Sequence, residues 1–309
     1  MTTILHKFKT VINNPKAVPI KMLYKLSPII PDRLYLKMLF PLKAGYKLDL
    51  NNPKTFNEKL QWLKLNYRKP ELNNMVDKYE AKIFAASIIG EEYIVKNYGV
   101  WNSFDKIDFD LLPNQFVLKT THDQGGGVIC RDKSKFDYAT AKKKLTKHLK
   151  FKHYYLTREW PYKDVPPRII AEELLVDNNK GDIWDYKFYC FDGVPKVMLI
   201  ATDRSKGDVR FDYFDMDFNQ IELQQGGENS CRVFEKPVNF DLMIELASNL
   251  SKNLPHVRVD FYDINGKILF GEMTFFDSGG MAGFEPKKWD YTFGSWIDLE
   301  KVKNGLREK

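Results

Sequence analysis

Residues 257–275 read VRVDFYDINGKILFGEMTF, and this stretch decides the fold. The Asn265-Gly266 pair between two alternating segments is a strong signal for a β-hairpin. Odd-numbered positions are apolar or small: Val257, Val259, Phe261, Gly271, Met273 and Phe275. Even-numbered positions carry Arg258, Asp260, Glu272 and Thr274. Side chains alternate between the faces of a strand, so the first set is predicted to lie in a core and the second to share one open face.

The register of this hairpin determines whether the two carboxylates meet. With a plain two-residue turn at Asn265-Gly266, Asp260 and Glu272 would lie on opposite faces of the sheet. The apolar pattern therefore predicts a loop with an odd number of residues, or an equivalent bulge. Two carboxylates beside Arg258 suit a hard cation that is held together with substrate phosphates. The alternative is a surface salt bridge.

Upstream, Lys119 ends the predicted strand 116–120 and is followed by Gly125, Gly126 and Gly127. Glycine N–H groups in such a turn can approach a polyphosphate closely, and a lysine beside them can hold a phosphate. The motif is not a P-loop, because a strand rather than a helix is predicted to follow. A plain flexible turn is the alternative.

The predicted strand 168–176 places Glu172 and Glu173 in an apolar run. Acids inside such a strand are unfavourable unless they have partners, and a nucleotide could be one. An exposed sheet edge would explain them equally well.

Hydrophobic periodicity organises the rest of the chain. A hairpin is predicted around Asp192-Gly193, and Asn239 is the predicted N-cap of a helix whose Leu242 faces inward. Helices are predicted at 56–66, 75–88, 138–151 and 239–253. Strands and helices are mixed rather than alternating, which is typical of the α+β class.

Length and composition set outer bounds. The 309 residues suit one large domain or two lobes that share a cleft, and 43% hydrophobic residues are ample for a core. Three scattered cysteines exclude a disulfide framework and indicate a reducing, cytoplasmic setting. The sequence predicts neither a membrane-spanning segment nor a signal peptide.

The net charge of +7 is concentrated at the N-terminus. Residues 1–45 hold eight Lys or Arg and a single acid, Asp32, interleaved with apolar residues. Such an arm could lie peripherally on the anionic inner face of a membrane, or it could be an ordinary solvated helix pair. No nucleic-acid-binding motif follows, so nucleic acid is not an expected partner.

Taken together and in this order, these features resemble the ATP-grasp family, and most closely its TupA-like branch, named for teichuronopeptide biosynthesis. The segments that carry the resemblance are FNEKLQWLK, DKYEAK, NQFVLKTTHDQGGG, PRIIAEELL, DYKFYCFDG, VRVDFYD and FGEMTFFDSGG. The resemblance implies an ATP-grasp fold in which two α+β lobes clasp ATP. It divides the chain into a basic helical arm (1–55), a pre-grasp helical region (56–115), a lobe with the glycine-rich loop (116–175) and a C-terminal lobe with the metal site (176–309).

The resemblance also implies a role for each candidate residue. Lys119 and Lys187 would contact ATP phosphates, Gly125–Gly127 would cover them, and Glu172 with the backbone near Leu174 would hold adenine. Asp260, Glu272 and Thr274 would ligate Mg²⁺, although threonine stands where the wider family has asparagine and Ser278 is a spare third ligand. Arg258, with Lys119, would act in catalysis by facing an acyl phosphate. His122 is either a substrate contact or a structural histidine.

The implied activity is an ATP- and Mg²⁺-dependent carboxylate–amine ligase that acts through an acyl phosphate. The implied substrates are a uronic acid of a bacterial surface polysaccharide, such as a capsule or O-antigen, and an amino acid or amine. Two alternatives stay open at this point: a glycosyltransferase of polysaccharide biosynthesis, and a nucleotide-binding module without catalysis.

Overall fold

A computed structural model describes residues 16–177 and 181–307, and within them the chain is α+β. The helices are α1 (Ala17–Leu26), α2 (Asp32–Ala44), α3 (Phe56–Asn66), α4 (Glu71–Val76), α5 (Glu80–Ile89), α6 (Tyr138–Leu149), α7 (Tyr154–Thr157), α8 (Phe240–Ser251), α9 (Lys288–Ser295) and α10 (Leu299–Arg307). The strands are β1 (Asn97–Trp101), β2 (Phe116–Thr120), β3 (Val128–Cys130), β4 (Ile169–Glu172), β5 (Asp185–Phe191), β6 (Val194–Thr202), β7 (Arg210–Phe214), β8 (Gln220–Ile221), β9 (Gln224–Gln225), β10 (Val257–Ile264), β11 (Lys267–Thr274) and β12 (Phe284–Glu285).

The β10–β11 hairpin combines a two-residue turn with a bulge. Ile264 pairs with Lys267 around the turn, whose two central residues both have positive φ. The register then shifts between Asp260 and Phe261, so that Asp260 pairs with Glu272 and the extra residue is Gly271. The predicted odd loop is wrong, and the predicted equivalent bulge is confirmed.

The hairpin forms one edge of a six-stranded antiparallel sheet with strand order β11-β10-β5-β6-β7-β8. The residues predicted to face the core, among them Val259, Phe261 and Met273, are buried. Helix α8 packs against β5, β6 and β10 and covers this face. Helices α3 to α5 contribute to the same hydrophobic core.

A second antiparallel sheet, with strand order β1-β4-β2-β3, lies on the other side of the cleft. Its own hydrophobic core includes Phe116, Leu118, Ile169 and Ala171, and Leu145 of α6 covers it. Alternation along β2 and β4 turns Val117, Lys119, Ile170 and Glu172 to the opposite face.

The predicted helix 75–88 is wrong, because the structure has two shorter helices there, α4 and α5. The Asp77 carboxylate accepts hydrogen bonds from the N–H groups of Tyr79 (2.7 Å) and Glu80 (3.2 Å), which interrupts one helix and caps the next. Ile83, which follows Tyr79 at helical spacing, is exposed.

Two expectations for α8 also differ from the structure. Leu242 is exposed and Met243 takes the inward position. Asn239 occupies the N-cap position, but its side chain makes no capping bond and donates to the Gly266 carbonyl at 2.9 Å instead.

The N-terminal helices α1 and α2 pack over a third cluster around Tyr35, Leu36 and Phe40. Asp32 binds Arg158 (3.0 Å) and Arg68 (2.7 Å), which ties this segment to the rest of the molecule. Part of the predicted basic arm, residues 1–15, lies outside the described residues. In the ranges 16–177 and 181–307, every helix is too short or too polar to cross a bilayer.

The bulge gives a first prediction. A Cβ atom at Gly271 would lie 3.0 Å from the Asp260 carbonyl oxygen and 3.3 Å from the Tyr262 ring, so Gly271→Ala should overpack the bulge. We expect the free energy of unfolding to fall by about 1–3 kcal/mol in urea denaturation. Gly283→Ala is the matched control, because a Cβ there meets nothing within 4 Å. Equal stability of the two variants would contradict this account of the bulge.

Candidate active site

The candidate site consists of two rows of side chains that cross three neighbouring strands on the open face of the large sheet. In one row, Lys187 on β5 pairs in register with Asp260 on β10, and Asp260 pairs with Glu272 on β11. In the next row, Arg258 on β10 pairs in register with Tyr189 on β5 and with Thr274 on β11. The bulge is what places both carboxylates on this face.

Asp260 is buried between two cations. Arg258 donates to both carboxylate oxygens, from Nε at 2.7 Å and from Nη2 at 2.8 Å, and Lys187 donates to the second oxygen. Burial raises the pKa of Asp260, but the charges of Arg258 and Lys187 outweigh it and hold the pKa below its usual value. Asp260 is therefore ionised at neutral pH.

Arg258 in turn is surrounded by acceptors. Besides Asp260, its guanidinium donates to Asp277 and, at 3.2 Å, to the Thr274 hydroxyl, while the contact with Glu272 is long at 3.5 Å. The Glu272 side chain is 45% exposed, far more than Asp260 at 2%. Glu272 is thus the carboxylate of the pair that is open to the cleft.

The opposite wall of the cleft is formed by β2 and β4. Glu172 is buried and its two oxygens bind two lysines, Lys119 at 2.6 Å and Lys82 at 2.9 Å. Burial raises the pKa of Glu172, but the two ammonium groups lower the pKa by more, so that it lies at about 2. The Lys119 pKa is lowered by burial and raised more by Glu172, with smaller effects of Glu272 and Asp185. Lys119 therefore lies within electrostatic reach of Glu272 and Asp185.

Sequence reasoning missed two lysines of the segment DKYEAK. Lys78 donates to the Asp123 carbonyl oxygen, and Lys82 reaches Glu172 and the Val95 carbonyl oxygen (2.9 Å). Burial lowers the pKa of both lysines. Lys78 lies in the turn before α5 and Lys82 in its first turn, so helical spacing does not relate them, and the sequence offered no signal for either beyond the DKYEAK segment itself.

The glycine-rich loop is anchored by Asp123. The Asp123 carboxylate accepts a hydrogen bond from Thr120 and lies 2.5 Å from the His148 ring nitrogen. A Cβ atom at Gly126 would lie 2.1 Å from the Thr120 hydroxyl oxygen, so only glycine fits there. Gly125 is exposed and has φ of +80°, which favours glycine for a second reason.

A polar stripe of α3 holds the loop that follows β11. Gln61 Nε2 donates to the Gly280 carbonyl oxygen at 2.7 Å, and Lys64 Nζ donates to the Gly279 carbonyl oxygen at 2.6 Å. Asn57, one turn earlier, donates to the Ala282 carbonyl oxygen at 2.8 Å. All three polar side chains are buried. The stripe fixes the loop that carries Asp277, the partner of Arg258, and leaves Ser278 exposed.

The sequence profile of a family described as TupA-like ATPgrasp matches residues 58–298. The chain belongs to the TupA-like ATP-grasp family. A search of curated proteins finds no match.

Solved ATP-grasp structures are similar at low identity. D-alanine–D-alanine ligase from Bacillus anthracis, complexed with ATP, is 14% identical with a TM-score of 0.42, over 76% of this chain and 67% of that one. The ATP-grasp ligase PsnB, complexed with a phosphomimetic variant of its minimal precursor, Mg and ADP, is 12% identical with a TM-score of 0.37, over 71% of this chain. The chain spans 56% of the PsnB chain.

The donors of the TupA-like site fit a magnesium ion that is bound together with a nucleotide. Among the described residues, no group of three or more His, Cys, Asp or Glu side chains is arranged to hold a metal ion. Mg²⁺ needs only one or two protein carboxylates when phosphate oxygens complete its shell. Asp260 and Glu272 provide two neighbouring carboxylates, and Arg258 binds both oxygens of Asp260 as well as the Thr274 hydroxyl.

The lysine clamp on Glu172 gives a second prediction, on pH dependence. Because the folded-state pKa of about 2 lies below the ordinary 4.5, ionised Glu172 stabilises the fold above pH 4.5 and stops doing so as the pH falls through 2. Glu172→Gln should lower the free energy of unfolding by about 3 kcal/mol at pH 7. The difference in free energy of unfolding between Glu172→Gln and the wild type should narrow between pH 4.5 and 2 in chemical denaturation.

Glu173, the exposed neighbour of Glu172, supplies the control. Glu173→Gln should change stability by less than about 0.5 kcal/mol at all these pH values, because its side chain faces solvent. A constant gap between Glu172→Gln and the wild type down to pH 2 would contradict the assigned pKa.

Proposed function

We propose that the protein is an ATP- and Mg²⁺-dependent carboxylate–amine ligase that acts through an acyl phosphate. We further propose that it amidates a uronic acid of a bacterial surface polysaccharide with an amino acid or amine. The observation that carries the ligase proposal is the paired row Lys187–Asp260–Glu272 opposite the Lys119–Glu172 pair. That row supports a metal–phosphate site, and the family membership supports the reaction class.

ATP would lie between the two sheets. The adenine would lie beyond Glu172, near Leu174 and a small apolar cluster that includes Leu175 and Tyr262. Lys119, Lys78 and Lys187 would contact the phosphates, because their ammonium groups lie on the two walls of the cleft. Gly125–Gly127 would cover the phosphates with backbone N–H groups.

The protein's part in the first step is to position charge. A substrate carboxylate oxygen attacks the γ-phosphorus, the bond to the β-phosphate oxygen breaks, and ADP leaves. Lys119 and Lys187 would stabilise the negative charge of the transferring group. When bound by Asp260 and Glu272, Mg²⁺ would neutralise phosphate charge and orient the phosphates.

In the second step an amine attacks the carbonyl carbon of the acyl phosphate and phosphate leaves. Arg258 would stabilise the oxyanion, since its guanidinium is held rigidly by Asp260 and Asp277. The described residues offer no Ser-His-Asp arrangement in this cleft, so the proposal needs no covalent enzyme intermediate.

The third prediction tests catalysis. With Mg²⁺-ATP, a uronic acid saccharide and a mixture of amines, we expect ADP to form. Glu272→Gln should lower its rate roughly 100-fold or more, about 2.7 kcal/mol of the barrier, because half of the carboxylate pair is lost. Glu245→Gln, exposed on α8, is the control and should leave the rate unchanged.

The products distinguish the alternatives. Release of a nucleoside diphosphate from a nucleotide sugar, without ATP consumption, would favour a glycosyltransferase. ATP binding without ADP formation under every substrate combination would favour a module without catalysis. Full ADP formation by Glu272→Gln would contradict the metal site.

We also propose that the N-terminal helices bring the enzyme to an anionic membrane surface, where lipid-linked saccharides are accessible. The apolar residues exposed on this segment are Val18, Met22, Leu26, Ile29, Leu34 and Met38. Exposed cations, Lys21, Lys25, Arg33 and Lys37, lie among them. Apolar residues beside basic ones are the combination with which interfacial helices bind anionic lipid.

The fourth prediction follows from that surface. The protein should co-sediment with vesicles that contain phosphatidylserine, and binding should weaken at least tenfold in Met22→Glu/Ile29→Glu, because each basic residue contributes only about 1 kcal/mol without apolar insertion. Leu111→Glu, which changes an exposed leucine elsewhere, is the control. Equal recovery with neutral vesicles would reject the membrane contact.

A further inference from the structure

A cavity beside His122 is lined by aromatic side chains. Its volume is about 410 Å³, and its walls include Phe151, Tyr154, Tyr155 and Tyr162. We refer to it as the tyrosine cavity. A cavity of this size suits a small organic ligand. Aromatic rings offer flat apolar faces, and tyrosine adds a hydroxyl group that can bond a polar ligand.

The segment before Tyr162 is held against the loop that carries Asp277, because Lys64 Nζ donates to the Thr157 carbonyl oxygen at 2.8 Å and to the Gly279 carbonyl oxygen at 2.6 Å. Burial raises the pKa of Tyr162 well above its usual value, and the nearby charges of Glu159 and Glu272 raise it further. Tyr162 thus lies within electrostatic reach of Glu272. His122, three residues after Lys119, also lines the cavity, and its buried Nδ1 has no hydrogen-bond partner in the described part of the chain.

The outer end of the cavity is cationic. Lys150, Lys152 and Lys163 line it, all three are exposed, and the acid among the lining residues is Asp164. Three positive charges against one negative charge attract an anion and repel an ammonium group. The amine substrate of a ligase is therefore unsuited to this cavity.

We infer that the tyrosine cavity binds the acid substrate, an acidic oligosaccharide that carries more than one carboxylate. This inference rests on the proposed ligase function. The apolar faces of a sugar ring pack on the tyrosine rings, and its hydroxyl groups bond the phenol groups of Tyr155 and Tyr162, since that of Tyr154 already donates to Asp32. One carboxylate enters at the Tyr162 end toward Glu272 and Arg258. The next acidic residue of the saccharide pairs with the lysines at the outer end.

A ligand with sugar rings explains the aromatic lining of the cavity, and a ligand with several negative charges explains the lysines. A simple amino acid or short fatty acid would use one of these features and leave the other without a function. A neutral sugar would gain nothing from three lysines. An acidic saccharide uses both, which is why we prefer it.

The test measures binding, so that it does not depend on turnover. Trigalacturonate, an acidic trisaccharide, and maltotriose, a neutral one, are titrated into the full chain by calorimetry at low salt. We expect the acidic saccharide to bind and the neutral one not to bind. Lys152→Glu/Lys163→Glu should weaken binding at least tenfold, since two attractive charges become repulsive. Tyr155→Ala should weaken it by a similar factor while ATP affinity stays unchanged.

The matched control is Lys196→Glu/Lys252→Glu, which makes the same charge change at exposed positions away from the cavity. Binding of neither saccharide, equal binding of both, or insensitivity to Lys152→Glu/Lys163→Glu overturns the inference. The ligase proposal has a separate readout. If ADP forms with a carboxylate substrate at a rate that the cavity variants do not change, the ligase stands and the cavity assignment fails.

Discussion

The extra residue Gly271 is the constraint on which the site depends. Side chains alternate strictly along a strand, and the two-residue turn alone would send Asp260 and Glu272 to opposite faces. The bulge lies between the turn and the site, and its extra residue returns Glu272 to the face on which Asp260 lies. The same shift keeps Phe261 and Met273 in the core, so the carboxylate pair and the core packing arise from one local irregularity rather than from separate features.

The cleft then holds charges that already neutralise one another. Asp260 is paired with Arg258 and Lys187, and Glu172 is paired with two lysines on the facing sheet. Buried charges are tolerated because each has a partner. Under the proposed function, a polyphosphate would offer new partners to these cations and would release the Asp260 oxygens for a metal ion. Occupancy by nucleotide and by metal should therefore be coupled in this cleft.

Much of this was predictable from the sequence, and the failures have physical causes. The hairpin and its shared carboxylate face follow from period-two alternation, but the position of the bulge depends on contacts around Gly271 that the pattern does not contain. The helix 75–88 failed because Asp77 competes for backbone N–H groups, a local bond that periodicity ignores. Lys82 and Lys64 escaped notice because buried lysines are rare and read as solvated positions.

The polar stripe of α3 limits how the loop after β11 can change. Because Gln61 and Lys64 are bonded to main-chain oxygens, they hold the loop to one backbone path, and a Cβ atom at Gly280 would lie only 2.6 Å from Gln61 Nε2. Ser278 is exposed but has a φ of +52°, which disfavours bulky and β-branched replacements, and an insertion or deletion would leave two buried donors without partners. A change in the length of this loop should therefore require a matching change in α3.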